Sequence, residues 1–318
     1  MGILEQSPEV NLKGKLDLSV KIAGVRFSNP VLVASGTFGY GEEYNDLIDL
    51  SKLGGIITKS VTVNPREGNP PPRTVETPAG MLNAIGLANV GVNRFIKEKL
   101  PFQRRLSTRI IVNVAGSTID EYIKVVKRLN RCKGIDMLEI NISCPNVKEG
   151  GLAFGARPES AHECIKQIKD HTSYPIMAKL SPNVTDIAQV ACAVEEAGAD
   201  AVSLINTLVG MAIDLEERKP VLRNITGGLS GPAIKPVALA MVWKVAQAVR
   251  LPVIGIGGIF DTQDALEFLL AGACMIQVGC ANFVDPQTSI KIVNGLNGYL
   301  REKKIKRLTD LVGKLKTG

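Results

Sequence analysis

Eight short runs rich in Val, Ile, Leu and Ala recur along the chain, separated by stretches with helical spacing. They span residues 31–34, 55–61, 110–115, 137–143, 176–181, 201–207, 253–258 and 275–280. Most are continuously apolar rather than alternating, which is the pattern of strands buried on both faces of a parallel sheet. The helical stretches are 118–130, 158–171, 185–197, 233–249, 261–271 and 286–300. In the first of them Ile119, Tyr122, Ile123, Val126 and Leu129 share one face. Pro158 suits a first helical position, Asp261 a cap, and Gly198 and Gly272 helix ends. Eight strand–helix units predict an α/β fold, a (β/α)8 TIM barrel. The competitor is an open doubly wound sheet, but no Gly-x-Gly-x-x-Gly follows the first strand.

At 318 residues the chain fits one such barrel. We expect a single domain over 1–318 with its barrel core at about 30–300. Residues 19–22 and 25–27 around Gly24 predict a small hairpin at the barrel bottom. Two connections are long, 62–89 and 208–231, and both fall at the strands' C-terminal face, where long loops are commonly functional.

Composition excludes several functions. No run approaches the roughly 20 apolar residues that span a bilayer, and the N-terminus has no apolar signal-like segment, so the expectation is a cytoplasmic protein without a membrane partner. Six cysteines show no Cys-x-x-Cys spacing, and the two histidines, His162 and His171, fall in one predicted helix. A disulfide framework, a metal site and a cluster held by this chain are therefore not expected. The net charge of +7 owes much to the tail at 301–307, which has no aromatic-rich basic motif. A solvated final helix accounts for it better than nucleic acid does.

The strand ends carry chemistry. Ser35, Lys59, Ser60, Asn113, Asn141, Cys144, Lys179, Asn206 and Thr207 all lie at or near the predicted C-terminal ends. A core has no use for two lysines and three asparagines, because each buried polar group must be paired or costs stability. Gly257-Gly258 and Gly279-Cys280 end the last two strands, with Gly231 nearby, and bare amides there suit a phosphate. For any one pair, tight-turn glycines would be explanation enough. Together with the lysines they favour a phosphorylated ligand. Cys144 alone reads as a small hydrophobe; its neighbours make it a candidate base.

The motifs Asn141-Ile-Ser-Cys-Pro-Asn146, Gly80-Met-Leu-Asn-Ala-Ile-Gly-Leu87, Ala178-Lys-Leu-Ser-Pro-Asn183, Gly227-Gly-Leu-Ser-Gly-Pro232, Ile254-Gly-Ile-Gly-Gly258 and Gln277-Val-Gly279 resemble dihydroorotate dehydrogenase. The resemblance covers about residues 16–300, and the Asn83–Leu87 wording is similar to class 1B. It implies an FMN oxidoreductase of pyrimidine biosynthesis that converts (S)-dihydroorotate to orotate. FMN would be held by Ser35, Lys59, Ser60, Asn113, Asn141, Lys179 and Ile205, with its phosphate on Gly231, Gly257, Gly258, Gly279 and Cys280. Substrate would be held by Lys59, Asn83, Ala84, Ile85, Gly86, Leu87, Asn141, Asn206 and Thr207. Class 1B also implies a partner subunit carrying FAD and [2Fe-2S], transfer to NAD, and a homodimer core within a heterotetramer. The family usually has threonine at the position of Cys280.

The implied mechanism makes Cys144 the base that removes the C5 proton while the C6 hydride passes to flavin N5. A free thiol is roughly 3 % thiolate at pH 7, so turnover should rise with pH unless its pKa is lowered. Two alternatives remain. Dihydropyrimidine dehydrogenase has a related FMN domain but typically places histidine where this chain has Asn146, and a non-redox phosphate-binding barrel would use the same polar ring.

Overall fold

The structure is a computed structural model in which residues 16–143 and 154–317 are described. The eight apolar runs form the barrel strands: β1 (Val31–Val33), β2 (Gly55–Ile57), β3 (Arg109–Val114), β4 (Met137–Asn141), β5 (Ile176–Lys179), β6 (Ala201–Leu204), β7 (Val253–Ile256) and β8 (Met275–Val278). All neighbours pair in parallel, and β8 closes on β1. Apart from Arg109 at the start of β3, every residue in these strands is buried. That is why the sequence shows runs rather than alternation.

The outer helices follow their sequence signals: α1 (Ile119–Leu129), α2 (Pro158–Lys169), α3 (Ile187–Glu196), α4 (Lys235–Ala248), α5 (Thr262–Ala271) and α6 (Thr288–Glu302). Thr118 caps α1 by accepting from the Glu121 amide, and α1 buries Tyr122, Val125, Val126 and Leu129. Asp261 and Asp264 form a reciprocal capping box on α5, which ends at Gly272 with φ 117°.

The first two units depart from the expectation. After β1 the chain makes only short 3-10 turns, at Glu42–Tyr44 and Leu50–Lys52. After the long loop that follows β2, an unexpected helical stretch runs through Gly91–Arg94, Phe95–Lys99 and Leu100–Gln103, with a π-helical middle. Phe95 and Leu100 are fully buried, and Pro101 sits at a helix start where its missing N–H costs nothing.

The hairpin of Val20–Ile22 and Val25–Phe27 forms as expected. Its Arg26 carbonyl accepts from Arg109 Nε at 2.8 Å, which places it at the N-terminal end of β3. The basic tail is not simply a solvated helix. Lys303, Lys304, Lys306 and Arg307 are exposed, but Leu308 is fully buried and its amide donates to the Asp17 carbonyl at 2.9 Å.

The two long connections pair with one another. Leu208–Met211, Thr226–Ser230, Gly80–Asn83 and Thr74–Thr77 form one antiparallel sheet in that spatial order. It stands beside the C-terminal mouth of the barrel.

Candidate active site

The ends of the barrel strands and the antiparallel sheet enclose a cavity of about 800 Å³, within the usual range for small-molecule sites. Ser35, Lys59, Ser60, Asn141, Lys179, Ile205, Asn206 and Thr207 line it. So do Asn83, Ala84, Ile85, Gly86 and Leu87 from the first long connection, and Gly231, Gly257, Gly258, Gly279 and Cys280. Asn113 is not in the lining but one layer below it. Its Oδ1 accepts from Ser60 Oγ at 2.6 Å and its Nδ2 donates to Glu139 Oε2 at 2.5 Å, so it orients Ser60 from beneath. Cys144, Pro145 and Asn146 lie outside the described residues.

Three polar side chains beside the end of β4 hold one another. Ser143 Oγ donates to Asn141 Oδ1 at 2.7 Å, and Asn206 Nδ2 donates to Ser143 Oγ at 2.5 Å. Asn206 Oδ1 accepts the Thr207 amide at 2.8 Å. Tyr122 Oη donates to the Asn141 carbonyl at 2.7 Å, fixing the strand end from α1. The segment from Asn83 to Leu87 is fastened to residues 69–73: the Ala84 amide donates to the Arg73 carbonyl at 2.8 Å, and Asn69 Nδ2 donates to the Ala84 carbonyl at 2.8 Å.

The charges are arranged to receive an anion. Lys59 lines the cavity, and no carboxylate among the described residues pairs with its ammonium. Lys179 is 5 % exposed and donates to Ser35 Oγ at 3.4 Å, with Glu139 behind it. At the ends of β7 and β8, the amides of Gly257, Gly258 and Gly279 find no acceptor among the described residues. A Cβ at Gly279 would meet only Ala34 Cβ, at 3.8 Å, so the backbone there is open to a ligand. Gly258 answers to packing as well: its φ is 74°, and a Cβ would lie 2.6 Å from Lys235 Cβ. Packing thus accounts for Gly258 but places no demand on Gly279. Burial pushes the Cys280 thiol up, only partly offset by a hydrogen bond with Ser230, so it faces the cavity as a neutral group.

This donor set fits a phosphorylated ligand: unpaired amides at the ends of β7 and β8, a buried ammonium from β5, and amide side chains with a second ammonium elsewhere in the lining. Among the described residues no group of three His, Cys, Asp or Glu side chains is placed to hold a metal. No helix among them is long and apolar enough to cross a membrane.

Comparison with known proteins agrees with the geometry. Residues 17–300 match the dihydroorotate dehydrogenase family. The chain belongs to that family. It is 57 % identical over 304 residues to the protein from Geotalea uraniireducens named dihydroorotate dehydrogenase B (NAD(+)), catalytic subunit, covering 96 % of this chain and 100 % of that one. Proteins of the same name from Geotalea daltonii and Bacteroides thetaiotaomicron are 57 % and 53 % identical, covering 95 % and 94 % of this chain and 99 % of each of theirs.

Several residues at this dihydroorotate dehydrogenase family site lie outside the motifs: Asn69 and Arg73 line the cavity, while Glu139 and Ser203 lie in the barrel interior. Ser143 and Gln277 fall inside motifs but carry no expected role from them. Glu139 had a signal: it stands two residues before Asn141, and alternation along β4 puts both on one face.

Proposed function

We propose that this chain is the FMN-containing catalytic subunit of an NAD-linked dihydroorotate dehydrogenase, oxidising (S)-dihydroorotate to orotate in pyrimidine biosynthesis. The observation that carries the reading is one cavity that gathers an unpaired lysine, the amide side chains of Asn83, Asn141 and Asn206 among others, and a glycine-lined edge, in a chain of this family. Bound FMN supplies the hydride acceptor.

The chain's own groups do the rest. Lys59 takes the substrate carboxylate, while Asn83, Asn141 and Asn206 hold its amide edges, fixing the face from which hydrogen leaves. The segment Ala84–Leu87 covers the substrate. Cys144 accepts the C5 proton as the C6 hydride departs. Ser35, Ser60 and Ile205 would position the cofactor, with Asn113 acting through Ser60, and the Lys179 ammonium would favour the negative charge that a reduced flavin gains. The amides at Gly231, Gly257, Gly258, Gly279 and Cys280 hold the phosphate.

Electrons then leave through a separate subunit carrying FAD and [2Fe-2S], which passes them to NAD. The word "subunit" in the relatives' names supports such a partner. We assign residues 1–318 to one cytoplasmic domain, paired with a second copy inside a heterotetramer.

The test is ligand discrimination by the purified yellow protein. Orotate should perturb the bound-flavin spectrum and uracil should not. A response to uracil alone would favour pyrimidine-base reduction, and a colourless protein that cannot be reconstituted with FMN would end the flavoenzyme reading.

A further inference from the structure

The barrel interior below the cavity carries a charge that packing does not explain. Glu139 is fully buried, and four donors converge on its carboxylate. Asn113 Nδ2 donates to Oε2 at 2.5 Å, and Ser203 Oγ and Gln277 Nε2 donate to Oε1 at 2.9 and 2.8 Å. Lys179 Nζ stands 3.8 Å from Oε2. Asn113 and Lys179 come from β3 and β5, the strands flanking β4, whereas Ser203 and Gln277 come from β6 and β8 and reach Glu139 across the barrel interior. Both oxygens meet donors only, the surroundings of a carboxylate rather than of its acid.

Interiors of such barrels are ordinarily filled with branched apolar side chains. Replacing a buried ion pair by well-packed apolar residues is often neutral or stabilising by about 1–4 kcal/mol. Stability therefore gives no reason to keep Glu139. Its position does. Lys179 lines the cavity, and so does Ser60, which donates to the same Asn113 that donates to Glu139. The carboxylate is joined to the cavity floor by two routes.

We propose that Glu139 is a positioning residue acting through Lys179: a buried counter-charge that weakens the positive potential the lysine presents to bound FMN and so lowers its reduction potential. The inference rests on the FMN reading of the cavity. Two electrons and one proton convert oxidised flavin to its anionic reduced form, adding one negative charge. A cation at the floor favours that product, and an anion behind the cation opposes it. The Ser35 hydroxyl also accepts from Lys179 at 3.4 Å, so the lysine keeps a second partner when Glu139 is neutralised.

The test is the FMN midpoint potential of the purified holoprotein, measured anaerobically against a reference dye. Glu139→Gln should shift it positive by at least tenfold in the reduction equilibrium, about 30 mV for a two-electron couple. Ser203→Ala keeps the carboxylate but removes a donor that screens it, and should shift the potential negative. That variant carries the test if Glu139→Gln does not fold. An unchanged or more negative potential in Glu139→Gln, or an unchanged or more positive one in Ser203→Ala, overturns this inference alone. Wild-type protein that binds no FMN overturns both it and the proposed function.

Discussion

Asn83 Nδ2 donates to the Gly228 carbonyl at 3.2 Å, joining residues 145 positions apart in the chain. The same two residues are register partners in the antiparallel sheet beside the barrel mouth. The segment proposed to contact substrate is thus held by the other long connection, and damage to the second should be felt at the first.

Gly228 is the place to test that coupling. A Cβ there would lie 1.9 Å from Thr207 Oγ1 and 2.6 Å from Thr207 Cβ, both part of the cavity wall or its support. Overpacking of this kind costs about 1–3 kcal/mol. Gly228→Val should weaken orotate binding by at least about fivefold in a flavin-absorbance titration. Its far-UV circular dichroism should remain that of the wild type, because the barrel strands do not include this sheet.

Lys59 brings an ammonium to the cavity with no carboxylate partner among the described residues. A charged hydrogen bond to a substrate carboxylate contributes about 2 kcal/mol, or about thirtyfold in affinity. Lys59→Met should weaken orotate binding by about that factor. Unaltered affinity would show that the carboxylate binds elsewhere.

Cys144→Ser should slow flavin reduction by dihydroorotate at neutral pH far more than it weakens orotate binding, because a hydroxyl ionises much less readily than a thiol. Rapid anaerobic mixing reads the first quantity and titration the second. Reduction at the wild-type rate would remove Cys144 from the role of base.

A stability prediction follows from α2. Burial pushes the Cys164 thiol up to about 12 from an ordinary value near 9. The folded chain keeps this group neutral while the unfolded chain ionises above pH 9, so its contribution is complete below pH 9 and is lost as pH rises towards 12. Cys164→Ala lacks that dependence. The stability gap between wild type and variant, from urea unfolding, should narrow by about 2.6 kcal/mol between pH 8 and pH 11.

What the sequence made legible follows from the physics of each part. The barrel strands were readable because burial on both faces writes continuous apolar runs, and Asp261 and Gly272 marked α5 through capping chemistry. The antiparallel sheet was not readable. Its pairings span distant loops, and Gly227-Gly228 carries no strand propensity, since only the partner strand justifies it. The helical stretch at 91–103 was hidden by Pro101 and a π-helical middle, and the first unit lacks the helix that repetition suggested. At the site, motifs supplied the cavity wall, while the layer beneath it required the alternation that puts Glu139 and Asn141 on one face.

In the proposed reaction this chain passes the C6 hydride of dihydroorotate to its flavin and the C5 proton to Cys144. The most direct measurement mixes the FMN-loaded chain with (S)-dihydroorotate under anaerobic conditions, without a partner subunit or added acceptor. Bleaching of the flavin, with one orotate formed per flavin, is the predicted result. A flavin that stays oxidised with dihydroorotate but bleaches with dithionite would contradict the account.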